Sequence, residues 1–115
     1  MEYRKLGRTG LEAGVVGFGA GWIGKMEQAE VNAMAARGAA AGVNIVDCWM
    51  SDPAVRSALG EALEPTRDQW IIQGHIGSTW QDGQYVRTRE LDQVRPAFED
   101  LLERLRTDHV ELGMI

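Results

Sequence analysis

Hydrophobic positions along the chain follow two periods in turn, which predicts strands alternating with helices. Short apolar runs, bounded by glycine or polar residues as buried strands are, lie at residues 15–19, 43–46, 70–72 and 110–115. Apolar residues three and four apart, as on one face of a helix, recur at residues 27–41, 53–63 and 91–105. Strands and helices in this order, joined by short connections, predict a parallel sheet built from right-handed β-α-β units.

Local signals refine these elements. Residues 3–13 predict a β-hairpin around Gly7 and Gly10, and Gly42 occupies the position of a glycine that ends a helix. Asp52 before Pro53 predicts the capped start of the second helix. Pro96 lies inside the third helical pattern and predicts a kink or a later start. The polar, glycine-containing residues 78–87 predict a loop, and Trp70 at the start of a strand is expected in the core.

Composition narrows the function classes. The chain has 115 residues, 44% of them hydrophobic and 25% charged, which suits one globular domain. A net charge of −5 argues against nucleic acid or an anionic membrane as partner. No apolar run is long enough to span a bilayer. The charged start of the chain is unlike a signal peptide, and Cys48 has no second cysteine to pair with, so a cytoplasmic location is expected.

Four strands and three helices fit either a small doubly wound sheet or half of a barrel, and particular residues favour the barrel. The chain resembles the start of an aldo-keto reductase in segments spread over its length in the family's order, at residues 3–12, 17–20, 41–47, 59–63 and 101–112. The resemblance implies an α/β fold of the parallel (β/α)₈ TIM-barrel type. Only the first four strands and three helices are present, preceded by a β-hairpin. Residues 1–115 are then the N-terminal half of such a barrel, an incomplete single domain.

The resemblance also implies where the catalytic residues lie. The family uses an Asp, a Tyr acid, a Lys that acidifies the Tyr, and a His, on the loops that follow the strands. Asp47 matches the Asp, the Tyr position falls on Asp52, the Lys position falls on His75, and the His position would follow Ile115. Carboxylates are ordinarily ionised near neutral pH and make poor substitutes for a phenol as proton donor. The usual Tyr/Lys pair is therefore not retained, and Asp47, His75 and Asp52 are the catalytic candidates.

The cofactor follows from the same resemblance. The family implies NADP(H), with Ala20, Gly21, Trp22 and Asp47 as candidate binding residues, although the family holds the phosphates mainly with the C-terminal half of the barrel. Residues 73–85 and 113–115 resemble a divergent branch that often carries a ferredoxin-like C-terminal segment. An iron–sulfur cluster is thus expected only in a longer protein. No His/Cys cluster has metal-ligand spacing, so no metal site is predicted.

Several candidate residues have a structural interpretation beside the functional one. Trp22, Trp49 and Trp80 each follow a predicted strand and form either an apolar substrate pocket or packing for the loops. His75 is either an acid–base group or a structural histidine, and Asp52 is explained by helix capping alone. A structural role is expected for His109, and Cys48 is expected to be a small buried residue.

The sequence therefore predicts a fragment of an aldo-keto reductase-like oxidoreductase acting on a small carbonyl or related organic substrate. Residues 113–115 stop within an apolar strand, and a barrel of this type needs about 250 residues. On this interpretation the partner is the missing C-terminal half, and the isolated chain is expected to be inactive. One alternative is a binding half-barrel that completes itself by homodimerisation with a second copy. Another is a redox-neutral lyase or isomerase on the same scaffold.

Overall fold

The computed structural model describes residues 1–115 as a parallel sheet with two flanking hairpins and three α-helices. Short 3₁₀ turns lie at Ile23–Lys25 and Glu64–Gln69. The elements in chain order are β1 (Tyr3–Lys5), β2 (Glu12–Gly14), β3 (Phe18–Gly19), α1 (Gln28–Ala40), β4 (Ile45–Cys48), α2 (Pro53–Leu63), β5 (Ile71–His75), β6 (Ser78–Gln81), β7 (Gln84–Arg87), α3 (Leu91–Arg104) and β8 (Leu112–Met114). No helix is long and apolar enough to cross a membrane.

The central sheet has four parallel strands in the order β3-β4-β5-β8. This confirms the predicted α/β fold with strands and helices in alternation. Successive side chains of a strand point to opposite faces, and Val46, Cys48 and Ile72 lie on the face that packs against the helices. Their core partners include Val31 of α1 and Leu59 of α2, both fully buried. The other face of the sheet carries no helix of this chain.

The N-terminal hairpin β1–β2 was predicted and is confirmed. Asn44 fixes it to the start of β4, because its side-chain oxygen accepts from the Gly14 amide at 2.8 Å and its side-chain nitrogen donates to the Glu12 carbonyl at 2.8 Å. The hydroxyl of Tyr3 donates to the Gly42 carbonyl at 2.8 Å. Gly42 itself has a left-handed φ of +83°, which explains why a glycine follows α1. The hairpin therefore covers the amino-terminal end of the sheet.

The second helix starts as predicted. A carboxylate oxygen of Asp52 accepts a hydrogen bond from the Ala54 amide at 2.8 Å, and Pro53 occupies the first turn. Helix α3 begins at Leu91 and contains Pro96, so the later start that Pro96 allowed does not occur. Leu91 was expected on the apolar face of α3, but it is 77% exposed because it lies in the first turn, beyond the core. Trp70 is buried, as predicted.

The first parallel strand is shorter than predicted. Residues 15–19 were expected to form a buried strand, but only Phe18 and Gly19 pair with β4, and Val15 and Val16 are exposed. The amide of Val15 instead donates to the carbonyl of Glu2 at 3.0 Å, which extends the hairpin. Val15 thus pairs with the N-terminal hairpin and not with the parallel sheet.

Residues 78–87 form a second hairpin, β6–β7, and the predicted loop is wrong. Its two-residue turn consists of Asp82 and Gly83, whose φ angles of +50° and +75° are those of the turn that best joins twisted antiparallel strands. The hairpin follows β5 directly. It therefore stands at the carboxyl end of the parallel sheet.

A buried arginine joins α2, α3 and this second hairpin. The side chain of Arg56 is 2% exposed, and its Nη1 lies 2.9 Å from a carboxylate oxygen of Asp100 and 3.0 Å from the Ala97 carbonyl. Its Nη2 donates to the Ser78 carbonyl at 3.1 Å. A buried guanidinium needs such partners because burial removes its hydration. Arg56 thus fixes the position of β6 relative to the helices.

Candidate active site

The candidate site lies at the carboxyl ends of β4 and β5, on the sheet face that carries no helix. Asp47 is paired in register with Gln73 on the neighbouring strand, and His75 comes two residues further along. Because side chains alternate along a strand, all three lie on the same face. Active sites of barrel enzymes occupy this end of the strands.

A hydrogen bond joins the two residues of the site that the sequence singled out most clearly. Nε2 of His75 lies 3.0 Å from Oδ1 of Asp47, and Nε2 of Gln73 donates to the same oxygen at 3.0 Å. The side chains of Asp47 and His75 are 41% and 34% exposed, so both are accessible to a ligand. The structure thus brings Asp47 and His75 together, with Gln73 restraining the carboxylate.

The ring of His75 leaves one nitrogen for other chemistry. Since a carboxylate only accepts, a hydrogen bond from neutral His75 to Asp47 requires the proton on Nε2. Nδ1 has no hydrogen-bond partner within the protein. The pair can therefore hold the imidazole in one orientation while Nδ1 accepts or, in the charged form, donates a proton.

A cleft of about 550 Å³ opens next to His75, between the carboxyl ends of β5 and β8 and the β6–β7 hairpin. Tyr85 and Arg87 of β7 line it together with Arg89. The ring of Tyr85 packs edge-on against Trp49, with 5.4 Å between ring centroids. The volume suits a small ligand.

The three tryptophans predicted to line a substrate pocket do not meet at one surface. Trp22 and Trp80 line a smaller cleft of about 170 Å³ that His75 does not reach. Trp22 is 80% exposed there. Trp49 instead packs against Gly21, where a Cβ atom would lie only 2.5 Å from its indole nitrogen, and against Tyr85. Trp49 contacts Tyr85 of the His75 cleft, and Trp80 is paired with Tyr85 across the β6–β7 hairpin. A role of the three tryptophans in substrate binding stays a prediction.

Asp52 lies apart from the Asp47–His75 pair. One of its carboxylate oxygens caps α2, as predicted, and the residue lines the smaller cleft beside Trp22. Its catalytic role stays a prediction that the capping bond does not require.

The predicted cofactor-binding loop is close to Asp47. The amide of Ala20 donates to the Asp47 carbonyl at 3.1 Å, and the Ala20 side chain is fully buried. Gly21 is covered by Trp49, whereas at Gly19 a Cβ atom would meet nothing within 4 Å. Open space therefore adjoins Asp47 on the Gly19 side, and cofactor binding by Ala20, Gly21 and Trp22 stays a prediction.

Cys48 is a buried residue, as the sequence predicts, and points away from the site. Burial raises the pKa of its thiol to about 12, and the carboxylate of Asp47 adds to the increase while Arg56 opposes it. A thiol with that pKa is a poor nucleophile near neutral pH. The structure has no group of three His, Cys, Asp or Glu side chains arranged to hold a metal ion.

His109 lies before β8, at the amino end of the strand, and has the structural surroundings expected of it. Its Nδ1 lies 2.6 Å from the Asp108 carboxylate and its Nε2 lies 3.1 Å from Glu111. The hydrogen bond with Asp108 raises the pKa of His109 and lowers the pKa of Asp108. Glu111 also accepts from the Ile72 amide at 2.7 Å and from Arg67 at 3.0 Å, and so joins β8 to β5.

Sequence reasoning missed Gln73, Tyr85, Arg87 and Arg89 as site residues. Gln73 could have been found from its position, one strand over from Asp47 in a parallel sheet. Tyr85 and Arg87 carry a signal as well, since Asp82-Gly83 is a typical two-residue hairpin turn and strands on either side of it alternate their faces. Arg89 carries no such signal.

Comparison with known proteins connects this geometry to a family. No protein-family model and no curated protein matches the chain. Among solved structures, a protein of Pseudomonas aeruginosa described as an aldo-keto reductase is 30% identical, with a TM-score of 0.85 over 96% of this chain and 45% of its own. An aldo-keto reductase of Bacillus halodurans is 22% identical, with a TM-score of 0.85 over 98% of this chain and 39% of its own.

A third match is an aldo-keto reductase of Klebsiella pneumoniae in complex with NADPH, 17% identical, with a TM-score of 0.65 over 89% of this chain and 34% of its own. The chain spans less than half the length of each of these relatives. The three relatives match between 89% and 98% of this chain. The fold matches half of the TIM barrel predicted from the sequence, and over nearly its whole length the chain is similar to members of the aldo-keto reductase superfamily.

Proposed function

We propose that this chain contributes the catalytic Asp47–His75 pair of an NADP(H)-linked oxidoreductase that acts on small carbonyl compounds. The observation that carries the proposal is the 3.0 Å hydrogen bond between Nε2 of His75 and Oδ1 of Asp47, at the end of the strands where barrel enzymes react. The NADPH complex of the Klebsiella pneumoniae relative supports the choice of cofactor.

The surroundings of Asp47 suit the reacting end of a nicotinamide nucleotide. The second carboxylate oxygen of Asp47 has no partner within the protein and is free to accept a hydrogen bond from a ribose hydroxyl. The space beside Gly19 is open, which leaves room for a flat ring. Asp47 would then orient the ribose, and the ring would lie over the strand ends near His75.

The chemistry assigned to His75 is proton donation. With Nε2 bound to Asp47, Nδ1 of the protonated ring donates its proton to the carbonyl oxygen of the substrate. A reduced nucleotide, when bound, supplies a hydride with its two electrons to the carbonyl carbon and is itself oxidised. The C=O π bond breaks, its electron pair takes the proton from His75, and the product is an alcohol. His75 thus performs the role that a tyrosine has in the family, while the chain position of that tyrosine is occupied here by Asp52, which caps α2.

The test is NADPH-dependent reduction of a panel of aldehydes and ketones by the protein that carries this chain. We expect the His75→Ala variant to lose at least about 100-fold in turnover, because a positioned acid contributes that much or more. His109→Ala is the matched control, and its turnover is expected to match that of the unaltered protein. Unchanged turnover in His75→Ala would contradict the proposal. Conversion of substrate without consumption of NADPH would instead favour a lyase or isomerase.

A second candidate function rests on the free edges of the sheet. Strands β3 and β8 each have one edge without a partner, and the face away from the helices includes the partly exposed Leu112 and Met114. Two copies related by a twofold axis could pair β8 of each with β3 of the other and close an eight-stranded barrel. Such a dimer would place two Asp47–His75 pairs at one mouth.

Light scattering distinguishes this candidate from completion by a different polypeptide. A particle of twice 12.7 kDa with one cooperative melting transition would support the dimer. The Leu112→Asp variant should then lose the dimer, while Leu91→Asp, an exposed position on α3, should retain it. A monomer in the unaltered chain would rule out self-completion.

A further inference from the structure

The cleft beside His75 is lined by several hydrogen-bond-donating side chains, by the apolar Met114 and Ile115, and by no acidic side chain. Arg87, Arg89 and Tyr85 contribute to its wall, and His75 forms one side of it. The chain as a whole has a net charge of −5, whereas the side chains that line this cleft carry two positive charges and no negative one. This local excess of positive charge adjoins His75, the residue to which we assign proton donation.

Both arginines are free to bind a ligand. Neither the side chain of Arg87 nor that of Arg89 forms an ion pair or hydrogen bond within the protein, although six ion pairs elsewhere in the protein use arginines. The hydroxyl of Tyr85 likewise has no partner. By contrast, the hydroxyl of Ser78 in the same cleft is already used, since it donates to the Trp49 carbonyl at 2.8 Å.

The hairpin presents these groups in a fixed arrangement. Tyr85 and Arg87 are two residues apart on β7 and so point to the same face. β7 is paired along its length with β6, and the amide of Thr88 donates to the Gly77 carbonyl at 3.0 Å, which closes the hairpin onto the end of β5. The contact of Tyr85 with Trp49 connects the same strand to the end of β4. The hairpin is therefore anchored to both strands that carry the Asp47–His75 pair.

We infer that the substrate carries an anionic group, a carboxylate or a phosphate, which Arg87 and Arg89 bind while its carbonyl group lies at His75. Guanidinium groups bind both kinds of anion with two parallel hydrogen bonds. The cleft volume of about 550 Å³ suits a small oxo acid or a phosphorylated carbonyl compound. Tyr85 would donate to the anion or the carbonyl from the same side. This inference rests on the proposed function for the position of the carbonyl, whereas the anion site depends on the arginines alone.

The test uses the full chain and three probes followed by NMR: pyruvate, inorganic phosphate and acetone. We expect pyruvate or phosphate to shift the resonances of His75 and of residues 85–89, and acetone, a neutral ketone, to bind at least roughly tenfold more weakly. The stronger of the two anions identifies carboxylate or phosphate as the group that is bound. Equal binding of acetone and both anions, or binding of none of the probes, would overturn the inference.

Variants assign the binding to the arginines. Arg87→Gln and Arg89→Gln should each weaken the preferred anion by roughly tenfold, the value of one charge-assisted hydrogen bond pair. Arg8→Gln in the N-terminal hairpin is the matched control, because Arg8 is exposed and remote from the cleft. Unchanged affinity in both variants would reject the site. Both should fold normally, since neither side chain forms a hydrogen bond or an ion pair within the protein, and circular dichroism checks this.

The outcome separates the inference from the proposed function. Arginine-dependent anion binding in a protein that reduces no carbonyl compound would leave the anion site in place and refute the oxidoreductase proposal. The opposite outcome is that the protein reduces neutral aldehydes equally well with and without the arginines and binds no anion. That outcome would refute the anion site and leave the oxidoreductase proposal in place.

Discussion

Nε2 of His75 lies 3.0 Å from Oδ1 of Asp47, although 28 residues separate the two in the chain. The contact depends on the register of β4 and β5, which places Asp47 opposite Gln73. It has a consequence for the tautomer of His75. We expect neutral His75 to carry its proton on Nε2 in more than half of the molecules, because the carboxylate can only accept. Nitrogen NMR chemical shifts measure this, and the Asp47→Ala variant should lose the preference. A predominant Nδ1 tautomer in the unaltered chain would contradict the arrangement.

The thiol of Cys48 should resist modification in the folded protein. Burial raises its pKa to about 12, so very little thiolate is present near neutral pH, and the side chain is 1% exposed. We expect iodoacetamide to leave native Cys48 unmodified over hours and to alkylate it readily in denaturant. Mass spectrometry measures both. Rapid labelling of the native protein would show that the sheet–helix interface opens.

Gly60 should be the glycine least tolerant of substitution. A Cβ atom there would lie too close to the Arg104 carbonyl oxygen and 2.8 Å from the Leu105 Cα, so α2 or the end of α3 would have to move. We expect Gly60→Ala to reduce the free energy of unfolding by about 3 kcal/mol. Gly19→Ala is the control, because a Cβ atom at Gly19 meets nothing within 4 Å, and it should change stability by less than about 1 kcal/mol. Denaturant titration measures both, and equal effects would contradict the close approach.

Two arginines that share Asp100 should differ in their contribution to stability. Arg56 is buried and also donates to the carbonyls of Ala97 and Ser78, so Arg56→Met leaves buried acceptors without partners and should cost about 3 kcal/mol. Arg104 is 37% exposed and should cost less than about 1 kcal/mol when replaced by Met. Thermal and denaturant melts compare them. A smaller loss for Arg56→Met than for Arg104→Met would refute the role given to Arg56.

The His109–Asp108 pair should make stability depend on pH in a defined window. The hydrogen bond with Asp108 raises the pKa of His109 above 6.5, so its contribution is complete below that value and is lost as pH rises through the folded-state pKa. The same bond lowers the pKa of Asp108 below 3.8, so that contribution is lost as pH falls through the folded-state pKa. The contribution of the pair to the free energy of unfolding is therefore greatest between the ordinary pKa values of Asp108, 3.8, and His109, 6.5. NMR titration of His109 should give a lower pKa in Asp108→Asn, and an equal pKa would exclude this origin.

Hydrophobic periodicity predicts the parallel sheet and the three helices because the burial of apolar side chains largely determines where these elements lie in the chain. The prediction fails at segments whose structure depends on other interactions. Val15 and Val16 are apolar but exposed, and the amide of Val15 pairs with Glu2 of the hairpin instead of with the sheet. The β6–β7 hairpin is mostly polar and partly exposed, and only its Asp82-Gly83 turn carries a signal.

The candidate site was predictable to the extent that strand order determines it. Asp47 and His75 end neighbouring strands of a parallel sheet, so they could be expected to meet. The buried position of Arg56 could not be predicted, because its partners Asp100, Ala97 and Ser78 come from α3 and from a hairpin that the pattern does not reveal. Arg56 and its partners are positioned by tertiary contacts, and such contacts produce no periodic pattern in the sequence.

The hairpin β1–β2, held by Asn44 and Tyr3, has a further consequence for assembly. It already covers the amino-terminal end of the sheet, and its bonds to β4 are all made within this chain. The two open edges of the sheet, on β3 and β8, are left to form the sides of a barrel. Closure of the barrel therefore requires strands that pair with these two edges and no further cover at the amino-terminal end.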